Sequence, residues 1–319
     1  MKLRRIAISL AVLSVGAVSA CSAEPDPLAE IPAFAVDVAR VELLDAGKDA
    51  KLLAYEDIND EDDAPATQRT VEVSEGFEQN VVAAEAVDPE SPEGTDTSTL
   101  TLPLSVTTTS APVAGDGEVE ATRAVHFTAG SPTHTTATLN DELESNEGFL
   151  MDWRGNNQGR ISTVKLLAPE DGADEGRAIV EAGLMNILST AVVFPSEPVG
   201  VGGSWSVESR VTGDSTMLRT TTYTVTAIDG GTVDLDVQIE QRPSQASLSF
   251  DESEAPELAG QSLTVESSTT RSQGALTIDL SQPLPVDGEI ASTTRVVYAG
   301  EDDNFRIVQD QANMVAYAE

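Results

Sequence analysis

Apolar side chains fall on every second position over Leu100, Leu102, Leu104 and Val106, with serine, threonine and proline between them. That is the period of a strand with one face buried. The same reading places strands at 34–44, 51–55, 70–73, 80–84, 118–128, 133–139, 149–153 and 161–167. A second series follows at 205–211, 220–228, 232–241, 263–270, 275–280, 290–298 and 305–315. Gly230-Gly231 marks a tight hairpin turn. One stretch departs from this period. Between Asp174 and Val192, the residues Val180, Leu184, Ile187, Leu188 and Ala191 recur at helical spacing. Asp171 or Asp174 can cap that helix, Glu175 suits the positive end of its dipole, and Pro195 stops it.

A single amphipathic helix among many strands must bury its stripe against a sheet. The expected fold is therefore mainly β (α+β): a curved antiparallel sheet or open barrel with one helix packed on it. The strand-rich body runs over 33–319. It divides into two halves, 33–168 and 194–319, joined by the helix at 173–193. An echo between the halves suggests a relationship. Asp116-Gly117-Glu118-Val119 precedes Thr122-Arg123, and Asp287-Gly288-Glu289-Ile290 precedes Thr294-Arg295. In a threonine-rich chain, coincidence explains the echo as well as duplication does.

The first residues add a location. Lys2, Arg4 and Arg5 form a basic start, Ile6 to Val18 carries no charge, and Ser19-Ala20 precede Cys21, the chain's one cysteine. A basic start, a short apolar run and a small-residue cleavage site make a secretory signal. The apolar run is 13 residues, against the roughly 20 a membrane-crossing helix needs. Val18-Ser19-Ala20-Cys21 resembles the lipobox of bacterial lipoproteins. That resemblance implies that residues 1–20 are removed, that Cys21 is the lipid-attachment site, and that it carries acyl groups such as palmitate. Residues 21–32 are then the acylated cysteine and a proline- and acid-rich tether. The expected location is the outer, extracytoplasmic face of a cell membrane, reached through the acylated N-terminus.

Charge narrows the partners. Against 54 acidic residues stand 18 basic ones, a net charge of −36. Removing 1–20 also takes Lys2, Arg4 and Arg5. Such a surface repels nucleic acid, whose binding needs clustered Lys and Arg. The run Glu56 to Asp63 superficially suggests a calcium loop. However, the places that require glycine and glutamate hold Asp62 and Gln68, so it reads as a solvated acidic loop.

Catalytic chemistry is sparse. Of the two histidines, His126 and His134 could meet across a hairpin turning at Gly130-Ser131-Pro132. Neither they nor the many carboxylates define a metal site or an acid–base dyad. Ser204, in Gly202-Gly203-Ser204-Trp205, lacks the trailing glycine of a nucleophile elbow and enters a strand. No phosphate-cradling or dinucleotide-binding glycine pattern occurs. The expectation is a protein that is not an enzyme, with no catalytic residue, metal or cofactor. Phe149, Met151, Trp153, Leu184, Met185 and Trp205 are the large apolar residues most able to converge. They read as core first, and as the lining of a cavity for a greasy ligand second.

Over Phe194 to Trp205 the chain resembles uncharacterised bacterial envelope lipoproteins, chiefly of actinobacteria. The shared features are a lipobox, a strand-rich body and the turn Pro198-Val199-Gly200-Val201-Gly202-Gly203-Ser204-Trp205. That turn is one residue longer before the tryptophan than the family form. A more distant, architectural similarity is to envelope lipid carriers of the LolA and LppX type. Together these imply a non-enzymatic envelope protein that binds a hydrophobic ligand or an envelope protein. The alternatives are a lipid or lipopeptide carrier with a cavity under the helix, and an envelope hydrolase.

Overall fold

The computed structural model describes residues 26–61, 64–115, 118–211, 217–249 and 262–318. The expected signal segment 1–20 and Cys21, the expected lipid-attachment site, lie outside the described residues. The chain opens with β1 (Phe34–Ala35), β2 (Arg40–Asp45), β3 (Lys48–Lys51), β4 (Thr67–Ala83), β5 (Ser98–Ser110), β6 (Arg123–Ala129) and β7 (Thr133–His134). The short helix α1 (Asn140–Glu144), β8 (Leu150–Gly155), β9 (Ile161–Leu167) and helix α2 (Asp174–Ser189) follow. Then come β10 (Val199–Val201), β11 (Ser204–Val211), β12 (Met217–Asp229), β13 (Thr232–Pro243), β14 (Ser247–Ser249), β15 (Ser262–Asp279), β16 (Asp287–Ala299) and β17 (Phe305–Ala318).

The protein is mainly β. One large antiparallel sheet runs in the order β1-β9-β8-β6-β5-β4-β17-β16-β15-β13-β12-β11-β2, and it is not closed into a barrel. Its two edges are consecutive in sequence. The end of β1 and the start of β2 are five residues apart, which an extended chain spans in at most about 18 Å. Thirteen flat strands would set their edges about 58 Å apart. The sheet must therefore bend round on itself into an open ring, bridged at the seam by 36–39.

Two expected pairs of strands are each one long strand. β4 runs through Gly76 and β15 through Gly274. Both glycines are tolerated because a neighbour stands against them. A Cβ on Gly76 would meet the Asp96 carbonyl at 2.4 Å, and one on Gly274 would meet Glu289 at 3.1 Å. Conversely, 51–55 is not a strand beyond Lys51. Leu53 and Tyr55 are nevertheless buried, so their alternation was a signal of burial rather than of pairing. Residues 133–139 give only a two-residue strand before α1.

α2 ends at Ser189, before the expected Val192, and no side chain caps its start. Its first turn is fixed by packing instead. Gly176 lies so close to the Glu142 carbonyl of α1 that a Cβ would sit 2.2 Å from that oxygen. At the other end, the buried Arg219 of β12 reaches the Ser189 carbonyl and hydroxyl at 3.4 and 3.2 Å. A cation suits that negative end of the helix dipole. Val180, Leu184 and Ile187 are fully buried in the same apolar cluster as Val71, Leu100, Leu102 and Val315.

Candidate functional site

The large apolar residues went into the core. Phe149, Met151, Trp153, Leu184 and Trp205 are buried within one apolar cluster, whereas Met185 is exposed. The rings pack in sequence, Tyr55 tilted on Phe194 at 5.5 Å, Phe194 tilted on Trp205 at 5.9 Å, and Trp205 stacked on Tyr223 at 5.2 Å. The indole N–H of Trp205 donates to the Val193 carbonyl at 2.8 Å. Phe127 and Trp153 pack at 4.5 Å. Of the six, only Trp153 borders a cleft described below.

The acidic run 56–63 is not simply solvated. The Asp57 carboxylate is fully buried and accepts from Arg123 Nε at 2.7 Å and from the Thr108 hydroxyl at 2.9 Å. The Arg123 guanidinium lies 4.3 Å above the Tyr55 ring, a cation–π arrangement. Burial raises the Tyr55 phenol far above its ordinary value. Asp60 instead caps Ser110, accepting from its N–H and its hydroxyl, both at 2.7 Å.

A cleft of about 380 Å³ lies on the outer face of β6, β8 and β9. The strand period builds its floor. Val125, Phe127, Met151, Trp153 and Val164 turn into the core, so the alternate residues turn outward. Register then aligns His126, Asp152 and Lys165 in one row across three strands, and Ala124, Arg154 and Thr163 in the next. One wall is Asp26 to Ala33; another is formed by Pro112, Val113, Gly115 and Glu118.

Two hydrogen-bonded groups occupy the floor. His126 Nδ1 lies 2.7 Å from Asp152 Oδ2, and Nε2 lies 3.1 Å from the Thr109 hydroxyl of β5. The Asp152 hydrogen bond raises the His126 pKa above its ordinary value; partial burial opposes the shift, and the charges of Asp152 and Asp26 add to it. Beside it, Glu118 pairs with Arg154 and, at 3.4 Å, with Lys165. Burial would raise the Glu118 carboxyl, but the Gly115 N–H and the two cations hold it below its usual value. Arg154 Nη2 donates to the Pro112 carbonyl at 2.7 Å, while its buried Nε has no partner.

The two histidines, which a hairpin could have brought together, do not meet. His126 faces Thr107 and His134 faces Leu100 on β5, seven residues and about 23 Å apart along the strand. His134 Nδ1 accepts from the Thr136 N–H at 3.0 Å. Among the described residues, no group of three or more His, Cys, Asp or Glu side chains could hold a metal ion. Ser204 pairs with Thr224 as the first residue of β11. Sequence reasoning missed Asp152 and Thr109 as partners of His126. The available signal was parity alone: both share its outward face.

A family of unknown function (DUF6263) matches residues 184–284, from the end of α2 to the turn after β15. The matched stretch includes the Phe194–Trp205 turn but not the cleft. Comparison with curated proteins gave no match, and comparison with solved structures gave none.

Proposed function

We propose that this protein is held at the outer face of a cell membrane by acyl groups on Cys21, and that it binds a ligand or partner without catalysing a reaction. The observation that carries this reading is the run Met1 to Cys21, with its basic start, uncharged stretch and Ser-Ala-Cys end. One saturated chain binds a bilayer marginally and two bind it stably, so a diacylglyceryl cysteine would retain the protein. No described helix is long and apolar enough to cross a membrane. The binding site in this reading is the cleft of His126, Asp152, Arg154 and Lys165. Within the sheet α2 lies against β4 and β5, and β5 carries Thr109, the hydroxyl partner of His126.

The Thr109–His126–Asp152 chain favours one rival, acyl transfer with Thr109 as nucleophile, because its connectivity is that of a catalytic triad. One observation weighs against it: the N–H after Thr109, which could stabilise an oxyanion, is already donated from Ser110 to Asp60. A fluorophosphonate probe that labels Thr109, and is lost in Thr109→Val, would establish the rival. For the carrier alternative, a hydrophobe retained in native mass spectra would be the sign.

Detergent phase partition tests the anchor. Wild type expressed in a lipoprotein-processing bacterium should enter the detergent phase, and Cys21→Ser should stay in the aqueous phase. Equal partition of the two would overturn the reading.

A further inference from the structure

We infer that the outer face of β6, β8 and β9, with its cleft, is the side of the molecule turned towards the bilayer. This rests on the acylation of Cys21 proposed above and adds an orientation to it. The chain is already fixed to this face at Leu28, and a local turn holds Asp26 to it. Asp26 accepts from the Leu28 N–H at 2.8 Å and, through its carbonyl, from the Ala29 N–H at 3.1 Å. Leu28 is 3% exposed, and its carbonyl accepts from Lys165 Nζ at 3.3 Å. Phe34 and Ala35 then pair with Val164 and Thr163 on β9. The segment beyond the lipid therefore does not act as a free tether over its whole length. Only residues 22–25 separate Cys21 from the docked chain.

Five residue steps reach at most about 18 Å from Cys21 to Asp26. A body of this length has a radius of gyration of about 19 Å and is about 50 Å across. Were the cleft face turned away from the bilayer, the linker would have to pass the whole body, which is nearly three times its reach. The face bearing Asp26 must then lie at the headgroups. The cleft accordingly opens to molecules at the membrane surface rather than to those in free solution.

Spin labels on the acylated full-length protein test this. Val113→Cys places a label at the cleft rim, where the side chain is 88% exposed. Gln238→Cys places one on the exposed outer face of β13, seven strands from β8 around the sheet. With its sulfur acylated, Cys21 does not react. The protein is bound to phosphatidylcholine vesicles containing a nickel-chelating lipid, and relaxation of each label by nickel is measured. The expected result is several-fold greater relaxation at Val113 than at Gln238. Equal or reversed relaxation in vesicle-bound protein overturns the orientation while leaving the anchor intact. Protein that does not float with the vesicles removes the anchor, and the orientation falls with it.

Discussion

Asp57→Ala isolates the interaction that pins the irregular segment 52–60 inside the sheet. That segment makes backbone hydrogen bonds to three separated places: Tyr55 N–H to Asn157, Glu56 N–H to Leu280 and Asn59 N–H to Thr108. Its one buried charge pairs with Arg123, whose side chain is 4% exposed. Removing the carboxylate strands the guanidinium in the core and leaves the Thr108 hydroxyl without its acceptor. Breaking a buried pair from one side costs about 3–5 kcal/mol, a large share of the roughly 5–15 kcal/mol that holds a typical domain together. Asp57→Leu combined with Arg123→Met removes both charges and retains bulk, so it should recover most of the loss. The assay is urea unfolding followed by the fluorescence of Trp153 and Trp205, both in the core. A loss below about 1 kcal/mol for Asp57→Ala would refute the reasoning. So would a double variant no more stable than the single one.

Other expectations follow from the cleft and the helix. Because folding raises the pKa of His126, its contribution to stability is fully present below the unfolded value and is lost as pH rises through the folded value. The gap in urea midpoint between wild type and His126→Gln should thus be larger at pH 5.5 than at pH 9; a constant gap contradicts the linkage. Glu118→Gln removes the shared partner of Arg154 and Lys165 and should lower the melting temperature more than Glu208→Gln, whose pair with Arg40 is exposed. Gly176→Ala would help an exposed helix by about 1 kcal/mol. Against the Glu142 carbonyl it should instead destabilise by about 2 kcal/mol, as read by thermal unfolding.

The alternation of Leu100 to Val106 and the stripe of α2 were legible because each records a local period imposed by one buried face. The lengths of β4 and β15 were not. Gly76 and Gly274 look like strand breakers until the opposing Asp96 and Glu289 backbones are known. The burial of Asp57 was equally hidden, since its partner lies 66 residues away and its neighbours are the most acidic run in the chain. In the cleft, His126 stood out as a rare residue. Asp152 and Thr109 acquire meaning only through the register of β5, β6 and β8. The ring-like bend follows from β1 and β2 occupying opposite edges, a fact of topology that no residue pattern carries.

Mass analysis of the tryptic N-terminal peptide tests the central claim most directly. Processing and acylation predict a peptide from Cys21 to Arg40, heavier than its sequence by a diacylglyceryl group on sulfur. A peptide of unmodified mass, or a chain that still begins at Met1, would contradict the account.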